Sequence, residues 1–229
     1  MSEQTPIAVL VSGGGSNLQA LIDRIEQGLV PARIALVLSN NPEAYALVRA
    51  QNHGLPTAVV PHSDFPNRES HDREVVAAIR AAGAETVVLA GYMRLLSAYF
   101  IQSFAQRILN IHPALLPAFP GLHGQQQAAN YGVTIAGATV HIVDEQLDSG
   151  PIVIQAALPT GGAEDAQALA QRILCLEHRI YPQAVKWMVQ DRLSLQGRQV
   201  VVADAPAPGS ALVDGEPAVL FAPGLEPGL

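Results

Sequence analysis

Five consecutive apolar residues, Ile7-Ala8-Val9-Leu10-Val11, run directly into Ser12-Gly13-Gly14-Gly15-Ser16-Asn17, and helical spacing begins at once with Leu18, Ala20, Leu21 and Ile22. An apolar run with no polar alternation marks a strand buried on both faces, the kind found in parallel sheets covered by helices. A strand, a glycine turn and a helix start make the first half of a βαβ unit. The signal then repeats: strand over 34–40, helix over 42–51, strand over 56–60, helix over 68–82, strand over 86–91, helix over about 97–106 and strand over 108–112. This alternation predicts an α/β fold, an open, mostly parallel twisted sheet with helices on both faces and right-handed crossovers.

The second half reads differently. A helix over 125–130 is ended by Gly132, and a strand over 134–143 puts Thr139, His141 and Val143 on one face. A further strand over 152–156 follows an acidic turn, Asp144 to Pro151, so antiparallel strands are expected here. A long helix from Ala163 to about Arg192 carries Leu169, Ile173, Leu176 and Ile180 on one stripe. Glu177 lies at its margin, either reaching into a cleft or serving as an ordinary flanking charge, and Pro182 is expected to kink or restart the helix. Beyond Arg198 there is no basic residue, and Pro and Gly become dense from Asp204 to Leu229. That segment reads as a loosely held tail, with a stray strand over 199–203 or 218–221.

Bulk composition narrows the function. The chain has 229 residues, 49% hydrophobic and 14% charged, which suits a folded globule rather than a disordered segment. Its apolar runs are too short to span a bilayer, and residues 1–6 lack a signal-peptide layout. The single cysteine, Cys175, fits a reducing compartment, so a cytoplasmic protein without a membrane partner is expected. A net charge of −7 with no basic stripe argues against a nucleic-acid partner. A small anionic ligand would need local groups to hold it, and Arg68 and Arg94 are candidates.

Three places carry chemistry. The glycine loop presents first-turn N–H groups to an anion, with Ser16 or Asn17 as N-cap. It lacks the Gly-Lys-Ser/Thr of a Walker loop, and the third glycine of a dinucleotide fingerprint would fall at Leu18. A terminal phosphate on Gly15, Ser16 and Asn17 therefore fits better than a pyrophosphate, although a bare glycine turn has the same pattern. In the strand 108–112, Asn110 and His112 share one face, and Pro113 ends the pairing, leaving His112 at the carboxyl end where ligands bind in such sheets. An amide beside an imidazole can stabilise an oxyanion, or the two can simply satisfy loop backbone groups. Asp148, in the acidic turn, would favour the imidazolium if it approached His112.

Gly91 to Leu96 leaves a strand at its carboxyl end and serves as a pocket wall or as core. No Ser or Cys sits in a nucleophile elbow. His112, His123, His141 and Asp148 lack close ligand spacing, so no metal is expected, and His123 and His141 read as supporting polar groups. His53, His62, His71 and His178 read as surface or helix-flank residues.

Ser12-Gly13-Gly14-Gly15-Ser16-Asn17-Leu18, Ala90-Gly91-Tyr92-Met93-Arg94, Asn110-Ile111-His112-Pro113, Phe119-Pro120-Gly121-Leu122-His123 and Leu147-Asp148-Ser149-Gly150-Pro151 together resemble the phosphoribosylglycinamide formyltransferases, in order, from about Ile7 to Met188. The resemblance implies a Rossmann-like formyltransferase fold and formyl transfer from 10-formyltetrahydrofolate, the co-substrate, to the amine of glycinamide ribonucleotide in purine synthesis, with no metal. It implies Asn110, His112 and Asp148 as the catalytic set and Gly15, Ser16 and Asn17 as the phosphate loop. Glu177 would lie on the amine side, and Arg68, Met93, Arg94, Leu95, Leu96 and Asp144 would contact folate. It divides the chain into a domain over 1–198, with a phosphate half of about 1–105 and a folate and catalytic half of about 106–198, and an extension over 199–229. Gly124-Gln125-Gln126-Gln127 is less charged than is usual after the leucine–histidine pair. Partners would be small molecules only, with the protein a monomer or homodimer.

Three other readings share parts of this pattern. Formyltetrahydrofolate deformylases share the Asn/His/Asp set but carry a preceding regulatory domain, for which the leading residues leave no room. Methionyl-tRNA formyltransferases add a nucleic-acid-binding barrel and lack the Phe-Pro-Gly-Leu-His stretch. A non-catalytic ligand-binding module would keep the fold without needing Asn110, His112 and Asp148 together.

Overall fold

Ile7 to Val11 are completely buried, and they form the centre of strand β1 (Thr5–Val11). The computed structural model describes residues 4–161, 164–213 and 216–229 and divides into two units, one ending at Asn110 and one spanning Ile111–Leu229. In the first unit, β1 is followed by α1 (Ser16–Glu26), β2 (Ala32–Ser39), α2 (Tyr45–Asn52), β3 (Thr57–Val59), α3 (Arg68–Ala81), β4 (Thr86–Leu89), α4 (Ala98–Ser103) and the start of β5 (Ile108–His112). β1 lies between β2 and β4, β3 flanks β2, and β5 pairs with β4 through Asn110, all in parallel. The expected βα alternation is found.

Several element ends differ from expectation. The N-cap of α1 is Gly15, in the left-handed region at φ 73, rather than Ser16 or Asn17, so backbone alone turns the chain there. α2 starts at Tyr45 rather than residue 42, because the Asn41 side chain accepts from Glu43 N–H and folds 41–44 into a turn first. α4 stops at Ser103, and Gln106 has φ 62. His71 is no surface residue. It is completely buried, its Nδ1 3.2 Å from Asp72 and its Nε2 3.0 Å from the Val60 carbonyl oxygen.

The second unit continues with α5 (Gly124–Tyr131), closed by Gly132 at φ 77, then the antiparallel pair β6 (Ile135–Ile142) and β7 (Ile152–Pro159). Helix α6 (Ala166–Val189) is capped by Asp165, whose carboxylate accepts from the N–H groups of Gln167 and Ala168. The expected start at Ala163 lies outside the described residues. α6 passes through Pro182 without a break, and it ends short of Arg192 because Asp191 turns at φ 54. The apolar stripe Leu169, Ile173, Leu176 and Ile180 is buried as its spacing predicts.

Strands are found at both places expected, 199–203 and 218–221, but the loose tail around them is overturned. β8 (Leu193–Gln196) and β9 (Gln199–Val202) form an antiparallel ribbon, and β10 (Gly209–Val213) pairs with β11 (Glu216–Ala222), which also pairs with β7. Val219 and Phe221 are buried, and β11 covers backbone that β7 would otherwise leave open. Past β11, Glu226 accepts from Trp187 Nε1 at 2.7 Å and lies 2.8 Å from Lys186 Nζ and 2.7 Å from an Arg192 nitrogen. Gln183, completely buried, donates to the Gly224 carbonyl and accepts from Glu226 N–H. Density of Pro and Gly concealed a segment held by side-chain partners on α6. Among the described residues, no helix is long and apolar enough to cross a membrane.

Candidate active site

His112 ends β5 and is almost fully buried. Its Nε2 lies 2.8 Å from the Phe119 carbonyl oxygen, and its Nδ1 lies 3.4 Å from Asp148 Oδ2. A carbonyl only accepts, so Nε2 is the donor to Phe119, while Nδ1 faces the carboxylate. Asn110, half-buried, precedes His112 by two residues in the same strand and so projects to the same side.

Asp148 arrives from the turn between β6 and β7, in the left-handed region at φ 47. Its Oδ2 accepts from the Gly121 N–H at 2.7 Å, and its Oδ1 lies 3.7 Å from His141 Nε2. His141 is buried in β6 with Nδ1 3.2 Å from the Ile142 carbonyl oxygen. Burial pushes His141 below the ordinary histidine range, against the raising effects of that carbonyl and of Asp148. Burial thus disfavours the charged form of His141, and of the two rings His112 lies nearer the carboxylate, at 3.4 Å against 3.7 Å.

Local packing holds this geometry. A Cβ at Gly150 would fall 1.7 Å from the Ile142 carbonyl oxygen and 3.3 Å from His141 Nδ1, so only glycine lets the turn close there. Asp144 accepts from Gln146 N–H and from Ser149 Oγ, so its carboxylate organises the turn from inside. Thr139 donates to the Ala114 carbonyl and accepts from Leu116 N–H, which fixes the chain just past His112. Glu177 is buried in α6. His123 is exposed at φ 62, and among the described residues its side chain makes no hydrogen bond, so it does not join Asp148. Among the described residues no group of three or more His, Cys, Asp or Glu could hold a metal ion.

The remaining predicted residues lie in the first unit. Gly15 and Ser16 form the turn into α1, with Asn17 in its first turn. Met93 and Leu95 are exposed at 66% and 51%, high values for apolar side chains, beside half-buried Arg94 and Leu96. Arg68 is exposed at the start of α3. Ser12 links the two loops: its N–H donates to the Gly91 carbonyl and its Oγ accepts from Met93 N–H. Sequence reasoning missed the backbone partners Phe119 O and Gly121 N–H. Both sit in Phe119-Pro120-Gly121, where a proline-stiffened glycine turn signals backbone presented at fixed positions.

The formyl transferase family model matches residues 5–185. The phosphoribosylglycinamide formyltransferase of Escherichia coli K12 is 41% identical over 189 residues, covering 82% of this chain and 89% of that protein. The trifunctional purine biosynthetic protein adenosine-3 of Drosophila pseudoobscura pseudoobscura is 47% identical over 82% of this chain, which spans only 14% of that longer protein. Among solved structures, glycinamide ribonucleotide transformylase 1 from Symbiobacterium toebii superposes with a TM-score of 0.87 at 43% identity, covering 89% of this chain and 96% of that one. The chain belongs to the formyl transferase family and, within it, to the phosphoribosylglycinamide formyltransferases.

Proposed function

We propose that this chain transfers the formyl group of 10-formyltetrahydrofolate to the amine of glycinamide ribonucleotide in purine biosynthesis, with Asn110, His112 and Asp148 as its reacting centre. Family membership supports the reaction, and the carboxylate held 3.4 Å from His112 Nδ1 is the observation that carries the assignment of residues. The co-substrate supplies a formyl carbon bonded to its N10 nitrogen. Exposed Met93 and Leu95 beside Arg94 suit a flat aromatic body, and exposed Arg68 suits its anionic tail.

Asn110 and His112 stabilise negative charge on the formyl oxygen while the amine attacks. Asp148 holds its carboxylate against the His112 ring and takes part in moving the proton that the amine loses to the departing N10. One C–N bond forms and one breaks, with no change of oxidation state. Gly15, Ser16 and Asn17 take the phosphate, Glu177 meets the amine side, and Asp144 shapes the folate-facing turn. The phosphate role falls to about 1–105 and the catalytic role to about 106–198, within a cytoplasmic monomer or homodimer.

A single-turnover assay with the formylfolate, run with and without ribonucleotide, tests this. Formyl loss only when the acceptor is present is expected. Formate released without acceptor would make the chain a deformylase, and no formyl loss in either tube would make it a binding module.

A further inference from the structure

We infer that Arg49 is a positioning residue for the phosphate loop, aiming the Gly14–Gly15 peptide so that its N–H faces the ligand; this rests on the reading that the loop takes the ribonucleotide phosphate. In a trans peptide the carbonyl and the following N–H point in opposite directions, so a donor that claims the carbonyl aims the N–H away from itself.

In this loop four consecutive carbonyls are claimed. Asn41 Nδ2 donates to Ser12 O at 3.4 Å, Ala46 N–H to Gly13 O at 3.0 Å, Arg49 Nε to Gly14 O at 2.8 Å, and Gln19 N–H to Gly15 O at 3.0 Å. Three of the four donors come from the short segment 41–49. The N–H groups that follow these carbonyls belong to Gly13, Gly14, Gly15 and Ser16, and among the described residues none of them donates within the chain. Successive N–H groups held this way form a concave anion site, and the start of α1 adds its partial positive charge.

Arg49 is itself fixed. Its NH1 donates to Gln19 Oε1 at 3.3 Å, and its guanidinium lies 5.1 Å from the centre of the Tyr45 ring. Ala46 packs against the same turn so closely that a Cβ at Gly15 would fall 2.6 Å from its own Cβ. Only two of the three donors from 41–49 are side chains, and the Arg49 bond is the shorter of these.

Two substitutions separate the Nε donor from the charge. In Arg49→Gln the amide nitrogen stands the same number of bonds from Cα as Arg Nε, so the donor to Gly14 O is kept and the charge lost. In Arg49→Lys a methylene stands there, so the charge is kept and the donor lost. With the full chain, steady-state kinetics are measured on glycinamide ribonucleotide and on the riboside that lacks the phosphate. Loss of one hydrogen bond that shapes an anion site is expected to raise KM for the ribonucleotide about tenfold in Arg49→Lys. Turnover, riboside kinetics and KM for the formylfolate should hold, and Arg49→Gln should return KM to within about threefold of the parent.

The reverse order, with Lys near the parent and Gln impaired, would overturn positioning in favour of plain charge. Unchanged ribonucleotide KM in Arg49→Lys would overturn the role of Arg49 while leaving the phosphate loop standing. A parent enzyme that treats ribonucleotide and riboside alike would overturn the phosphate reading itself, and the inference with it.

Discussion

Asp148 Oδ2 lies 3.4 Å from His112 Nδ1 while the same oxygen accepts the Gly121 N–H at 2.7 Å, so one carboxylate oxygen ties the end of β5 to the proline-rich loop. Replacing the carboxylate by an amide keeps the shape but removes the negative charge beside His112 Nδ1. Asp148→Asn is expected to lower turnover on the order of a hundredfold or more, with KM for the ribonucleotide changed only a few-fold. Steady-state kinetics decide it: turnover within about threefold of the parent would remove Asp148 from the chemistry.

His112→Ala deletes the ring itself. Turnover should fall by two or more orders of magnitude, while the ribonucleotide dissociation constant, read by calorimetry, should stay close to the parent value. Turnover near the parent value would remove His112 from the mechanism.

Gly15→Ala tests the loop backbone. The residue sits at φ 73, and its new Cβ would meet Ala46 Cβ at 2.6 Å and Ala46 Cα at 2.9 Å. Left-handed backbone costs an L-residue roughly 1–2 kcal/mol before any clash is relieved, so urea unfolding should show at least that loss. Ribonucleotide KM should rise together with it. A variant of parental stability would mean that the turn is free to reshape.

His141 and pH are linked through burial. Its folded-state pKa lies below the ordinary 6.5, so as pH falls below that value the unfolded chain takes up the proton first. Stability that depends on neutral His141 is therefore intact above about pH 6.5 and is lost progressively on acidification. In His141→Asn, the decline of unfolding free energy from pH 7.5 towards 5 should be shallower than in the parent. Identical slopes would count against it.

Glu226 gives the opposite sign. Partial burial alone would raise its carboxyl, but hydrogen bonds from Lys186, Trp187 and Arg192, with the charge of Lys186, outweigh that and hold it down to about 2. The resulting stability is present above 4.5, the ordinary value, and is lost as pH falls towards about 2. Glu226→Gln should cost about 2 kcal/mol at pH 7, leaving Lys186 and Arg192 without their carboxylate. The difference from the parent should close on acidification; a constant difference would point to packing instead.

Much of the first unit was legible because its strands are uninterrupted apolar runs and its helices follow glycine, asparagine or serine signals, as Asn67 and Ser97 show by capping α3 and α4. The proximity of Asp148 to His112 was expected and is found. What sequence reasoning could not reach depends on backbone partners and on long-range packing. Gly121 N–H and the Phe119 carbonyl have no side-chain signature. The tail misled because Pro and Gly dominate its composition, whereas its order comes from a few partners far away in sequence, Gln183, Lys186 and Trp187. His71 misled in the same way, since its burial depends on Val60 and on the Phe65 ring, 5.4 Å away.

The bond from His112 Nε2 to the Phe119 carbonyl has a consequence for any molecule that binds here. With Nδ1 turned to Asp148, Nε2 is the nitrogen that the loop engages. On the reading that His112 meets the formyl oxygen, that oxygen takes the place of the Phe119 carbonyl, one acceptor exchanged for another. On that reading, a ligand that brings an acceptor to this point competes with the loop for the ring, and one that brings none leaves the Phe119 bond in place.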